Sequence, residues 1–347
     1  MTVTLQDLLT DPSFFFHQID GNEAIFQPMA RGDFERSIFL DGRIRHGGQQ
    51  PLRVPLPHIV AAVDAAKLAI PRIGWIFHVA QCGSTLLARS LDLPARSLVL
   101  REPATIRQLG VLTGGQDDPQ RPQGFGPLLR AVVTLLGKRW VSESCTVVKA
   151  NVPVNFIAEE ILDHDPEAAA ILLHFPLEQY VASILRTDGH RRWTEGVFGE
   201  LRLANSRWCE GAQPENLPEK AAALWFAEMK IFATLLEKFP NVRSLNAGAF
   251  FDDPASTVHA AADLFGLVMD EAEARRITEG ELFHSYSKNP TLDYDPEVRA
   301  AREAEAMHRL ADEIAVAREW ARSARERHGL VEALHRPLVG PPAPLLR

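Results

Sequence analysis

The sequence predicts an α/β fold: a parallel sheet flanked by helices, preceded by a small β-rich N-terminal addition. Three observations predict it. From about residue 70 onward, short apolar runs alternate with longer segments of helical spacing, the pattern of strands joined by crossover helices. The stretch 75–89 is an apolar run that breaks through small residues into a helix. The chain has 347 residues, 46% of them hydrophobic, enough for a full core near the size where single cores stop growing.

In residues 1–70, apolar runs at 14–16, 24–26 and 37–40 are separated by Gly and Asp. They predict a small β-rich layer. A loop follows at 47–57, and a helix at 59–70 delivers the chain to the core. This addition is either a cap over a site or packing. The main domain, 71–335, has strands expected at 73–79, 97–101, 145–150, 168–175 and 242–246. Helices are expected at 84–92, 125–137, 154–163, 177–186 and 218–239. Such alternation implies right-handed crossovers and ligands beyond the carboxyl ends of the strands. Two polar stretches, 113–123 and 187–211, read as long loops. The second contains Asp188-Gly-His-Arg-Arg-Trp193 and is a lid, an acceptor-binding loop or a solvated insertion. Residues 296–328 read as one charged surface helix. The Pro-rich tail, 336–347, has no core pattern and is expected to be poorly ordered.

Composition excludes several classes. A net charge of −8 offers no basic field for nucleic acid or anionic lipid. No apolar run is long enough to span a membrane, and the first residues lack the basic start and apolar stretch of a secretory signal. Cys82, Cys145 and Cys209 lie far apart without metal-ligand spacing, so they read as free thiols in a reducing, cytoplasmic compartment.

The turn 78–85 carries the chemistry. A strand that bends through small residues into a helix leaves backbone N–H groups unpaired where the helix dipole favours an anion. It is not a Walker loop, because His78 stands where that pattern has its first Gly, and Ser84 stands at its Lys. Nor is it a thiolate phosphatase loop: six residues separate Cys82 from Arg89, one too many. A strand–helix turn without ligand remains the bland alternative.

The run His78-Val-Ala-Gln-Cys-Gly-Ser-Thr-Leu-Leu resembles the phosphosulfate loop of the sulfotransferases. It is most similar to a bacterial branch in which Cys-x-Ser-Thr-Leu-Leu-Ala-Arg is followed by a strand ending in Arg-Glu-Pro. Here that strand ends in Arg101-Glu102-Pro103. Further likenesses lie at Lys149-Ala-Asn151, in the segment 172–183 that ends at Ser183, and at Tyr286-Ser287-Lys288. The resemblance covers roughly residues 70–300. It implies a P-loop NTPase-like sulfotransferase fold and sulfuryl transfer from 3′-phosphoadenosine 5′-phosphosulfate, without a metal, to a hydroxyl or amine.

On that resemblance, the backbone at Gln81, Cys82, Gly83, Ser84 and Thr85 holds the 5′-phosphosulfate, while Ser183 and Lys288 serve the nucleotide. Glu102 is the candidate base and Lys149 the candidate cation. Each also has a bland reading. Glu102, extended before Pro103, alternatively pairs with Arg101 or Arg89. His78 is a rival base or orients the loop. Ser183 alternatively bonds back to its own helical turn. The chain departs from the family at Gln81, where a basic residue is usual, and at Phe175, where an Arg is. Arg89, Arg101 and Lys149 are candidate substitutes at the first, Arg186 and Lys288 at the second. Two other functions stay open: an ATP-dependent small-molecule kinase or phosphotransferase, and a non-catalytic nucleotide-binding member of the fold.

Overall fold

The computed structural model describes residues 3–114, 121–286, 289–293 and 296–346. Strands β1 (Phe14–Asp20), β2 (Glu23–Pro28) and β3 (Leu52–Pro55) form an antiparallel sheet in that order. Strands β4 (Ile73–His78), β5 (Ser97–Arg101), β6 (Cys145–Lys149), β7 (Ala170–His174) and β8 (Val242–Asn246) form the main sheet. Its order is β5-β6-β4-β7-β8 and every pairing is parallel. β4 to β7 are buried along their whole length, as parallel strands covered by helices on both faces must be. The chain lays β5 and β6 to one side of β4, and β7 and β8 to the other. A crevice for a ligand is therefore expected at the carboxyl end of β4, where the order reverses.

The expected strands all form. The expected helices form as Ser84–Ser90, Phe125–Leu136, Ala158–Asp163, Leu177–Ile184 and Leu217–Lys238; a 3-10 turn, Val152–Ile157, precedes the third. Five local expectations differ. The expected loop 47–57 contains β3, which pairs with β2, and the helix after it runs Leu56–Ala65 rather than 59–70. The stretch read as a long loop, 187–211, opens with the helix Asp188–Glu200, because the Thr187 hydroxyl accepts from His190 N and caps it. The run 37–40 is not a strand, because its carbonyls are claimed by an arginine described below. Residues 296–328 are two helices, Pro296–Arg309 and Ala311–His328. The second is not a surface helix: it buries Ile314, Ala317, Trp320, Ala321 and Ala324, and its Trp320 ring meets Phe226 of the helix Leu217–Lys238 edge-on. The tail is not loose either. Leu338 N donates to Ser244 O at 2.7 Å, Leu177 N donates to Leu345 O at 3.0 Å, and Leu345 is 1% exposed. An edge strand offered unpaired N–H and C=O groups, and the tail took them.

The N-terminal layer shares the main core. Leu8, Phe16, Phe26 and Phe34 belong to the same buried cluster as Trp75, Val99 and Val148. Polar ties fix it to the helix Ala104–Thr113: Thr105 Oγ1 donates to Phe16 O at 2.6 Å, while the Gln108 amide donates to Ile19 O and accepts from Ile19 N. The strongest tie is Arg101, at the end of β5 and 1% exposed. Its guanidinium meets Asp92 at 2.8 Å and donates to the carbonyls of Phe34, Ile38 and Ser37. Asp92 also receives Arg31, at 2.6 Å. A buried charge is tolerable only with this many partners. Arg101 is thus committed to holding residues 34–38 and is not a substitute cation for the loop.

Arg101→Leu should lower the unfolding free energy by about 3–5 kcal/mol, the usual cost of removing one partner from a buried ion pair. Urea unfolding measures it. A loss near that of an exposed substitution such as Arg36→Ala would contradict the role assigned to Arg101.

Candidate active site

The carboxyl ends of the five strands converge on one edge. Three backbone bonds extend the ladders past the strands: Val79 N to Leu173 O at 3.0 Å, Ala150 N to Ile76 O at 2.9 Å and Glu102 N to Lys149 O at 2.8 Å. They hold the starts of three loops side by side. The loop after β4 then turns through two left-handed residues, Gln81 (φ 63°) and Gly83 (φ 87°). Gly83 is obligatory here, since a Cβ would lie 2.6 Å from the Phe251 ring. The first turn of the helix Ser84–Ser90 has no side-chain cap, and the N–H groups of Gly83, Ser84 and Thr85 have no backbone acceptor among the described residues. Alternating left-handed residues with open N–H groups form an anion-binding concavity. Thr85 Oγ1 is buried without a partner, which an arriving ligand oxygen would satisfy. Cys82 contributes only backbone, for its thiol is buried and donates to Val79 O at 2.9 Å.

Glu102 is not extended. Its φ is 56°, and the left-handed turn brings its carboxylate to neither Arg101 nor Arg89 but to the ammonium of Lys149, from which Oε1 accepts a bond. Asn151 Nδ2 donates to Oε2 at 3.0 Å. A left-handed glutamate is strained by order 1–3 kcal/mol, and the ion pair with Lys149, 1% exposed, offsets that strain. Arg89 instead feels Asp92 and Arg101, and burial lowers its pKa.

His78 does not serve as a base. Nδ1 lies 2.8 Å from Val79 O and Nε2 2.8 Å from Ala150 O, so neither nitrogen is open to a substrate. Burial, with the Lys149 charge adding to it, pushes its pKa down to about 3. The neutral ring has a single N–H, so it donates to one of the two carbonyls and only abuts the other, packed between the first residues of two loops. Beneath it, Asn155 Nδ2 donates to His78 O at 3.1 Å and to Glu228 Oε1 at 2.7 Å. Glu228 is fully buried, and desolvation raises its pKa well above the ordinary value, so it is a neutral acid supporting the loop from below.

Among the described residues, two cavities open at this edge, and Gln81 lines both. One, of about 720 Å³, is bounded by Glu102, Lys149, Asn151, Ser84 and His78 on the sheet side. Phe39 and Arg43 from the N-terminal layer, Arg107 from the helix Ala104–Thr113 and Trp193 from the helix Asp188–Glu200 complete it. The other, of about 60 Å³, is bounded by Gln81, Phe175, Ser183, Arg186, Phe251 and three residues of the helix Pro296–Arg309: Arg299, Glu303 and Ala306. Arg299 lies over the Phe251 ring at 4.1 Å, and Glu303 accepts from Gln179 at 2.9 Å.

The structure thus brings together Gln81, Gly83, Ser84, Thr85, Glu102, Lys149 and Ser183. Ser183 Oγ also donates back to Tyr180 O at 2.7 Å, as its bland reading held. Arg186 reaches the smaller cavity, whereas Lys288 lies outside the described residues. Sequence reasoning missed Phe39, Arg43, Arg107, Phe251 and Arg299. Only Phe251, in the Phe-Phe pair after β8, left a readable sign, an aromatic just past a strand's carboxyl end. Among the described residues no group of His, Cys, Asp and Glu is arranged to hold a metal, and no helix is long and apolar enough to cross a membrane.

Neither a family model nor a curated protein sequence matches the chain. Among solved structures it is similar to a sulfotransferase from Alicyclobacillus acidocaldarius (15% identity, 74% of this chain and 96% of that one, TM-score 0.39). It is also similar to the sulfotransferase domain from the curacin biosynthetic pathway (12%, 72% and 99%, 0.41). A third likeness is to sulfotransferase STF1 from Mycobacterium tuberculosis H37Rv (17%, 78% and 84%, 0.39).

Glu228→Gln should stabilise the protein at pH 8 and not at pH 4. As pH rises above about 4.5, the unfolded chain releases this proton while the folded one keeps it, so the group's contribution falls with pH. The amide removes that fall, and the gap between variant and parent should widen by up to about 1.4 kcal/mol per pH unit. Urea unfolding at several pH values measures it; a pH-independent gap would contradict a neutral Glu228.

Proposed function

We propose that this chain is a sulfotransferase that moves a sulfuryl group from 3′-phosphoadenosine 5′-phosphosulfate to a hydroxyl or amine of a small-molecule acceptor. The observation that carries the reading is the meeting of two cavities at Gln81, one with the polar groups for a nucleotide and one with a carboxylate–ammonium pair. Group transfer needs two substrates in line across a charge-stabilising loop. The order of motifs around residues 78–85, 101–103 and 149–151 supports the same reading, with a cytoplasmic setting.

In this mechanism the loop N–H groups from Gly83 to Thr85 hold the phosphosulfate. An acceptor in the larger cavity places its hydroxyl at Glu102. As the acceptor oxygen bonds to sulfur, the sulfur–oxygen bond to the 5′-phosphate breaks and its electrons leave with the adenosine bisphosphate. The acceptor proton passes to Glu102. Lys149 is then freed from a full carboxylate charge and turns toward the sulfuryl oxygens, supplying the positive charge that Gln81 does not. Ser183, Arg186 and Arg299 suit a nucleotide phosphate in type. Their cavity is too small, at 60 Å³ against the few hundred that ligands occupy. Donor entry therefore requires the helix Pro296–Arg309 to move outward.

3′-Phosphoadenosine 5′-phosphate without Mg²⁺ should raise the melting temperature, because a ligand of the native state shifts unfolding by mass action. It should also change hydrogen exchange in residues 296–309. A shift only with ATP and Mg²⁺ would favour a phosphotransferase. Tight bisphosphate binding without transfer to any of a broad acceptor panel would favour a non-catalytic protein.

Glu102→Gln should keep nucleotide binding and lose about 10²–10⁴ in turnover, the range for a general base. Full turnover in that variant would remove Glu102 from the role.

A further inference from the structure

We infer that the acceptor is an aromatic hydroxy acid, with its hydroxyl at Glu102 and its carboxylate held by Arg43 and Arg107. The inference rests on the sulfotransferase reading of this site and concerns what the larger cavity selects. That cavity, about 720 Å³, is of ordinary size for a small organic ligand.

Its charge is the first argument. Arg43, Arg107 and Lys149 line it against Asp41 and Glu102. Each of these cations has a carboxylate partner, Arg43 with Asp41, Lys149 with Glu102 and Arg107 with Glu200, but Glu200 lies outside the lining, so the wall itself carries one more positive than negative group.

The availability of donors is the second. Gln108 has spent both ends of its amide on Ile19, Asn151 donates to Glu102, and Lys149 is paired with Glu102. Arg43 is held by Asp41 through Nε, at 2.9 and 3.1 Å, and through Nη2 at 2.5 Å, and its guanidinium lies 4.0 Å over the Phe39 ring. Its Nη1 makes no hydrogen bond among the described residues. Arg107 gives only Nη2, to Glu200 at 2.5 Å. Both arginines are thus fixed in place and keep donors to spare, which is the arrangement for a carboxylate. Asp41 and Glu200 anchor them without facing them both: Glu200 does not line the cavity.

The third argument is shape. Phe39 and Trp193 line the cavity together with Ala80, Ala104 and Val152, an apolar lining suited to an aromatic ring.

The test measures binding without donor, so that it does not depend on sulfuryl transfer. Calorimetry would compare 4-hydroxybenzoate, 4-hydroxyphenylacetate and 3-(4-hydroxyphenyl)propionate with their neutral amides. At least one acid should bind tenfold or more tightly than its amide. Arg43→Gln and Arg107→Gln should each erase most of that preference while leaving the affinity for 3′-phosphoadenosine 5′-phosphate unchanged. Equal binding of acids and amides, no binding by any acid, or a preference that survives both variants would overturn the inference. An acid preference that behaves as expected in a protein that ignores the bisphosphate would uphold the anion site and sink the sulfuryl-transfer reading instead.

Discussion

Parallel pairing of β5 with β6 sets Arg101 opposite Lys149, and pairing of β6 with β4 sets Lys149 opposite Ile76. Each ladder runs one bond further, into Glu102, Ala150 and Val79. Because of this register, a carboxylate, an ammonium and a turn with open N–H groups emerge within reach of one another at a single edge. A slip of one residue in any of the three strands would send the side chains to opposite faces. Lys149 would then face a helix with no partner, at a cost of several kcal/mol.

Two successive residues at the end of β5 do different work in consequence. Arg101, fully inside, gathers Asp92 and the carbonyls of residues 34–38 and so ties the N-terminal layer to the sheet. Glu102, one residue on and left-handed, faces the cavity. The layer so held returns Phe39 and Arg43 to the mouth of that cavity. Packing and chemistry are therefore coupled through the backbone of this dipeptide. The layer both packs on the core and walls the site, which answers the question its sequence left open.

Part of the site was legible because its residues sit in regular elements. The five strands were readable from continuous apolar runs, and the turn at 78–85 from small residues between a strand and a helix. Glu102, Lys149 and Ser183 followed from their places at or just after strand ends. The missed residues have no such mark. Arg43 and Phe39 lie in irregular chain, and Arg107 and Arg299 are arginines on helices that look like any solvated face. The helix Asp188–Glu200 was missed because three glycines and a charged run mask a helix that depends on the Thr187 cap and on burial of Val197 and Phe198.

The sequence alone determined the sheet, its parallel sense and the position of the small-residue turn at 78–85, because each is written in local periodicity and residue size. Tertiary structure decided what each candidate does. His78 lost the role of base because it is buried, with a carbonyl from each of two loops crowding its two nitrogens. Glu102 found Lys149 rather than an arginine because strand register, which no local pattern encodes, put them side by side.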